Sequence, residues 1–106
     1  MASQPALDPD VDRIREALAG LLTPGRPYRI EFIHGPWPFL RAILVSDDFE
    51  GMHVGQRQEW IWSRLRDGLD AKLNSRLFSV YPCTWNEARN EFEETDAGGL
   101  RARYGS

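Results

Sequence analysis

The segment FLRAILVSDDFEGMHVGQR, residues 39–57, contains an apolar run, a turn and the start of an amphipathic helix. Residues 39–46 are nearly all apolar apart from Arg41, which predicts a buried strand. The DDFEG sequence at 47–51 takes the chain out of the sheet. From residue 54 to residue 73 apolar side chains recur at the helical period, so one long helix is predicted there.

An alternating strand lies before this segment. Within residues 28–33, Tyr28, Ile30 and Phe32 fall on one face and charged side chains on the other, which predicts a half-buried strand. The HGPWP sequence at 34–38 ends it, because proline removes a backbone donor and restricts the residue before it. The short connection favours an antiparallel hairpin.

Helix-start signals occur near both ends of the chain. The DPD sequence at 8–10 supplies an N-cap, a proline at the first helical position and an acid in the first turn. An apolar stripe at the helical period follows it, as far as the TPG sequence at 23–25. Near the C-terminus, Thr84 and Glu87 match a capping box, which predicts a last helix running to about residue 94.

The order of these elements predicts the fold class. Residues 76–81 form a predicted third strand that Pro82 ends, so the order is helix-strand-strand-helix-strand-helix. Helices must cover a face of so small a sheet, which gives an α+β, two-layer α/β sandwich with a three-stranded mixed sheet. One domain at 9–94 is expected, with a disordered N-terminus at 1–8 and a flexible C-terminal tail at 95–106.

Composition favours a small protein of a reducing compartment. The chain has 106 residues, 42% of them hydrophobic, and nothing near the roughly 18 consecutive apolar residues of a membrane span. Cys83 is the single cysteine and the N-terminus does not resemble a signal peptide, so a cytosolic protein is expected. The net charge is −3, yet twelve of the thirteen basic residues are arginines. That bias fits either phosphate and carboxylate recognition or codon composition.

The turn segment resembles the central motif of BolA proteins, in which Val-Ser-Asp-x-Phe-x-Gly is followed by Gln-Arg at the start of the main helix. The matching residues are Val45, Ser46, Asp47, Phe49, Gly51, Gln56 and Arg57. The family's element order is the same as the order predicted above. The resemblance implies a class II KH-like fold and an adaptor that shares or relays a [2Fe–2S] cluster with a monothiol glutaredoxin. Some family members are also implicated in transcriptional control.

Two family positions for histidine differ in this chain. Gln58 stands where the family has His after Gln-Arg, and Arg76 aligns with the ligand His before the third strand. A guanidinium stays protonated and cannot ligate iron. His34, in the predicted hairpin loop, is the one candidate ligand, and Cys83 has no family counterpart. The resemblance therefore implies that no cofactor is bound by the chain alone, with a [2Fe–2S] cluster shared with a partner left open.

Candidate binding residues fall into two sets. The candidates for a protein partner are His34, Trp37, Arg57, Gln58, Trp60 and Arg76. The candidates for a nucleic acid form a predicted basic rim of Arg57, Arg64, Lys72 and Arg76. Trp37, between two prolines, and Trp60, opposite the apolar stripe, are candidate exposed aromatic anchors. The alternatives are a solvated His34, a Gln58 that bonds to backbone, tryptophans covered by the last helix or the tail, and scattered solvated arginines.

The sequence leaves three functions in competition. The leading hypothesis is a non-catalytic adaptor that docks a glutaredoxin-like protein through the second strand and the long helix. The second is a KH-like nucleic-acid-binding protein or transcriptional regulator. The third is an enzyme with a pocket between sheet and helix, which is disfavoured because the sequence shows no nucleophile–base set, phosphate loop or metal-binding repeat.

Overall fold

The apolar run forms the central strand of a three-stranded sheet. The structure is a computed structural model that describes residues 8–94 and 100–102. Strand β1 (Tyr28–His34) pairs antiparallel with β2 (Leu40–Ser46), and β2 pairs in parallel with β3 (Leu77–Cys83). The predicted hairpin and the mixed sheet are therefore confirmed.

Four helices accompany the sheet: α1 (Pro9–Ala19), α2 (Val54–Leu65), α3 (Ala71–Arg76) and α4 (Trp85–Glu91). A short 3₁₀ helix, Asp47–Phe49, precedes α2, and two further strands, β4 (Phe92–Glu94) and β5 (Leu100–Ala102), follow α4. The fold class is confirmed as an α+β sandwich. Both predicted helix starts also hold: Asp8 accepts from the backbone N–H of Asp10 at 3.0 Å, and the Thr84–Glu87 capping box is formed.

The long helix predicted over 54–73 is instead two helices. α2 ends at Leu65, and α3 begins after Asp70, whose side chain accepts from the backbone N–H of Leu73 at 2.9 Å. Such a cap accepts a hydrogen bond from a free backbone N–H at the start of the new helix. It therefore lowers the free-energy cost of interrupting the helix at Asp70. Leu69 and Leu73 stay buried across the break, which is why the apolar period did not reveal it.

Two apolar clusters lie on opposite faces of the sheet. The main core takes Ala42 and Leu44 from β2 and is covered by α1, α2 and α3. Its buried members are Ile14, Leu18, Leu22, Ile30, Leu40, Ala42, Leu44, Phe49, Ile61, Leu65, Leu69, Leu73, Leu77 and Val80. Ile43 and Val45 alternate with those β2 residues, so they point to the reverse face. There they form a second cluster with Cys83 and Ala88.

The C-terminal region differs from its prediction. The last helix ends at Glu91 rather than near residue 94, and Phe92–Glu94 pairs antiparallel with Leu100–Ala102. A flexible tail from residue 95 is therefore wrong for β5, because Phe92 and Leu100 pack on the second cluster. The rest of that predicted tail, and residues 1–7 of the predicted disordered N-terminus, lie outside the described residues.

Pro82 does not end the third strand as predicted. It pairs with Leu44, and the strand continues to Cys83. Proline lacks a backbone donor, and this loss is tolerated on an edge strand such as β3.

The residues of the turn motif hold neighbouring elements together. Ser46 Oγ accepts from the backbone N–H of Asp48 at 3.0 Å, and Asp47 Oδ1 accepts from that of Trp85 at 3.1 Å. Asp48 accepts from the backbone N–H of Thr23 at 2.7 Å. The two carboxylates thus diverge toward different parts of the fold. Gly51 has φ +81°, a left-handed conformation that a residue with a Cβ rarely adopts.

None of the helices in the part of the chain that the structure describes is long and apolar enough to cross a membrane.

Phe49 is fully buried and contacts Trp60 edge-on, with ring centroids 5.7 Å apart. We expect Phe49→Ala to lower the free energy of unfolding by about 3–5 kcal/mol, because it leaves a cavity in the main core. Phe78→Ala is the matched control, since Phe78 is 60% exposed and its loss should cost less than about 1 kcal/mol. Urea denaturation followed by tryptophan fluorescence measures both. Equal losses would contradict the placement of Phe49.

Candidate functional site

Arg57 is buried and connects elements of the fold to one another. Its side chain, in the first turn of α2, is 9% exposed. Nε donates to the carbonyl oxygen of Met52 at 3.0 Å and Nη1 to that of Pro82 at 3.3 Å. Both terminal nitrogens donate to the Glu87 carboxylate, at 2.6 and 3.1 Å. The predicted partner-binding and nucleic-acid roles of Arg57 are therefore corrected: its donors are used within the fold.

The contacts of Glu87 lower the pKa of its carboxyl group. The hydrogen bond from Arg57 holds the pKa of the Glu87 carboxyl below its usual range, and the bond from the backbone N–H of Thr84, at 2.9 Å, acts in the same direction. The Arg57–Glu87 pair thus connects α2 to the start of α4, and the carbonyl bond to Pro82 adds β3.

Arg76 is a second buried arginine that connects elements distant in sequence. It is 4% exposed and is the last residue of α3, not part of the third strand as predicted. Nη1 donates to Asp8 at 2.9 Å and to Asp10 at 3.0 Å, and Nε donates to the carbonyl oxygen of Pro38 at 2.8 Å. The Trp37 ring lies against the same guanidinium, 4.4 Å from its central carbon. Arg76 therefore ties the start of α1 to the β1–β2 turn, and the surface role predicted for it is wrong.

The residues at the family's ligand positions do not fit a [2Fe–2S] cluster. Arg76 is protonated and bound to two carboxylates, and its hydrogen bond to Asp8 lowers the pKa of that carboxyl. His34 is exposed and ends β1, paired with Leu40, rather than lying in the loop. Within residues 8–94 and 100–102, no group of three His, Cys, Asp or Glu side chains is arranged to hold a metal ion.

Gln58 is hydrogen-bonded to the backbone at the edge of the core, which is the alternative to a partner-binding role. Its Nε2 donates to the carbonyl oxygen of Val80 at 2.8 Å, and its Oε1 accepts from Trp62 Nε1 at 2.9 Å. Because both ends of the amide are engaged, Gln58 fastens α2 to β3. The hydrogen bonds of the Gln58 side chain are thus made within the fold, without a partner protein.

Trp60 is not the exposed anchor that its position on the helix predicted. It is half-buried, packs on the main core and contacts Phe49 edge-on, while Arg64 covers it at 4.3 Å from the ring centroid. The predicted basic rim is also wrong for the two buried arginines. Of its other members, Arg64 stacks on Trp60, and Lys72 is 76% exposed with Nζ 3.9 Å from Asp10.

The exposed apolar surface lies instead on the reverse face of the sheet, where the sequence indicated no site. Two adjoining cavities, of about 270 and 380 Å³, open there and share Ile33 and Arg41 as lining residues. We call them together the reverse-face groove. The residues that line it include Ile33, Phe39, Arg41, Ile43, Phe78 and Tyr81. Trp37, 78% exposed, lies in the turn that also supplies Gly35 and Pro36 to the groove.

A signal for this groove exists in the sequence. Ile33 and Arg41 sit at positions that alternate with the core residues of their strands, and they pair across the hairpin. Phe78 lies where the β2–β3 register shifts, between the partners of Leu40 and Arg41. That irregularity depends on strand pairing and is not visible in the sequence.

Comparisons with models of known protein families, with curated protein sequences and with solved structures found no match. The resemblance to BolA proteins therefore rests on the 45–57 motif and on the element order.

We expect Arg76→Met to lower the free energy of unfolding by about 2–4 kcal/mol, because Asp8 and Asp10 lose the cation between them. Lys72→Met is the control, since Lys72 faces the same Asp10 carboxylate from solvent and should contribute less than about 0.5 kcal/mol. Urea denaturation at neutral pH measures the difference. Similar losses in the two variants would show that general charge balance, not the buried pair, stabilises this corner.

Glu87→Gln keeps the shape of the capping side chain and removes its charge. Since the folded-state pKa of Glu87 is depressed, its stabilising contribution is present above about pH 4.3 and is lost as the pH falls through the folded value. We expect a loss of about 0.5–1.5 kcal/mol at pH 7, a small figure because the Glu87 side chain is 38% exposed and solvent screens its charge, and this loss should shrink as the pH falls below about 4.3. Denaturant unfolding at several pH values measures this trend.

Glu59→Gln is the control for that experiment, because Glu59 is exposed on α2. A difference between the Glu87→Gln variant and the wild type that stayed constant down to acid pH would contradict a charge effect.

Proposed function

We propose that this protein is a non-catalytic, cytosolic adaptor that binds a protein partner through the reverse-face groove. The observation that carries the proposal is a contiguous exposed apolar surface on a sheet face. Phe78 is 60% exposed, Ile33 48% and Phe39 44%, and the rings of Phe39 and Phe78 lie 5.9 Å apart. Clustered exposed aromatic side chains rimmed by polar groups are typical of protein interfaces.

The chemistry of the reactive side chains supports binding rather than catalysis. Burial raises the pKa of the Cys83 thiol to about 12, so the thiolate needed for nucleophilic attack is scarce at neutral pH. Burial, together with the Glu91 carboxylate, also raises the pKa of Tyr81, whose hydroxyl donates to Glu91. Tyr81 is thus held in its protonated form, and within the described residues no hydrogen bond joins Cys83 to a base that would activate it.

The BolA-like motif makes a monothiol glutaredoxin the first partner class to test. Arg76 occupies the position that the family gives to a ligand histidine, and both its charge and its donors are used internally. We therefore propose docking that does not require a shared [2Fe–2S] cluster. His34 and Trp37, at the turn end of the groove, remain candidate contacts at its rim.

The nucleic-acid alternative loses its principal residues. Arg57 and Arg76 are neutralised by Glu87 and by the pair Asp8 and Asp10. A phosphate backbone is bound through several free cations, and the chain as a whole carries a net charge of −3.

Isothermal titration with a monothiol glutaredoxin, first without and then with a reconstituted cluster, tests the proposal. We expect a complex with the cluster-free partner and no new visible absorbance that depends on this chain. Phe78→Ser should weaken binding about tenfold or more, because it removes an aromatic anchor from the groove.

Val54→Ser is the matched control, since Val54 is 71% exposed at the start of α2 and outside the lining of the groove. Binding that requires the cluster would contradict cluster-independent docking. A complex that Phe78→Ser leaves unchanged would contradict the groove as the interface, and no complex at all would exclude this partner class.

A further inference from the structure

Arg41 is the exception in the central strand. Six of the seven residues of β2 are buried, and Arg41 is the exposed one. Its neighbours along the strand, Leu40 and Ala42, point into the main core, so Arg41 points to the reverse face. Arg41 thus places a charge on the central strand, at a position where an apolar side chain covered by a helix would be usual.

The guanidinium of Arg41 lies in an apolar setting. Its central carbon is 5.4 Å from the centroid of the Phe78 ring, a cation–π contact that orients the side chain over the groove. Arg41 lines both cavities of the groove, so apolar space extends on either side of it: toward Phe39 in one direction and toward Ile43 and Phe92 in the other.

Within the described residues, no carboxylate pairs with Arg41. On the same face of β1, Glu31 is already bound by Arg29 at 3.0 Å, and at the far end of the groove Glu91 accepts from the Tyr81 hydroxyl. The groove therefore presents one uncompensated positive charge between two apolar cavities. Its chemical complement is a carboxylate flanked by apolar side chains.

We infer that the reverse-face groove binds a short extended peptide segment of a partner protein in which an acidic residue lies between two apolar residues, with Arg41 binding the carboxylate. In an extended chain, side chains two residues apart point the same way and are about 6.6 Å apart. Phe39, just before β2, and Ile43 are four residues apart in extended chain, a span of about 13 Å that matches the pattern apolar-x-acidic-x-apolar. This inference rests on the proposed function and names the partner's chemistry.

Charge favours a peptide over a nucleic acid at this surface. Exposed aromatic rings beside an arginine also suit single-stranded nucleic acid. Each nucleotide brings a phosphate, however, and Arg41 is the one cationic side chain among the described residues that line the two cavities. One carboxylate matches this charge pattern better than a run of phosphates.

Fluorescence anisotropy with the full chain tests the inference. The probe is a fluorescein-labelled peptide Gly-Leu-Ser-Glu-Ser-Leu-Gly, and its control is the same peptide with Gln in place of Glu. We expect the Glu peptide to bind about tenfold more tightly than the Gln peptide, because a charge-assisted bond is at stake, and added salt should reduce this preference. Arg41→Gln should abolish the preference.

Two further variants separate charge from apolar contact. Arg64→Gln is matched to Arg41→Gln, since Arg64 also stacks on an aromatic ring, that of Trp60, but lies outside the groove; it should keep the full preference. Phe78→Ser should weaken both peptides by a similar factor. Circular dichroism verifies that each variant is folded.

Equal binding of the two peptides, a preference that survives Arg41→Gln, or no binding of either peptide up to about 1 mM would overturn the inference. So would tighter binding of a labelled ten-nucleotide single strand under the same conditions, or a dimer, seen by light scattering, that Phe78→Ser dissociates. The two failures are distinguishable: a partner whose binding depends on Phe78 but not on Arg41 would support the groove as the interface and reject only the acidic ligand, whereas binding independent of Phe78 would reject the interface itself.

Discussion

The fold depends on a central strand that is apolar on both faces. Ala42 and Leu44 require a cover on one side, while Ile43 and Val45 require one on the other. Helices α1, α2 and α3 meet the first need. The second is met by α4 and the β4–β5 hairpin, although only over the C-terminal half of the strand. The uncovered N-terminal half, where Arg41 replaces an apolar residue, becomes the floor of the reverse-face groove.

Buried arginines connect elements that are distant in sequence. Arg57 joins α2 to β3 and α4, and Arg76 joins α3 to α1 and the β1–β2 turn. A buried guanidinium is stable only with carboxylates and carbonyl oxygens around its five donors, so each such residue fixes several partners at once. This explains why Arg57 and Arg76, which the sequence suggests as binding residues, instead hold elements of the fold together.

Local signals predicted the elements well because their causes are local. The caps at Asp8 and Thr84 act on backbone donors two or three residues away, and the alternation in β1 reflects the geometry of a single strand. Errors arose where distant residues decide. The helical period predicts an exposed Trp60 opposite the apolar stripe of α2, but Phe49, from the preceding turn, contacts its ring. The polarity of residues 95–106 predicts a flexible tail, yet Leu100 packs on the second cluster.

The sequence by itself determined the α+β class, the hairpin and the helix starts, because spacing and capping chemistry are written in neighbouring residues. Only the tertiary structure decided which charges are free. Arginines 41, 57 and 76 have the same formal charge in the sequence. Two of them meet carboxylates contributed from at least 30 positions away, and the third faces an apolar groove where no carboxylate of residues 8–94 or 100–102 pairs with it. That distinction depends on which segments pack together, since a charge is available for binding only where the fold leaves it uncompensated.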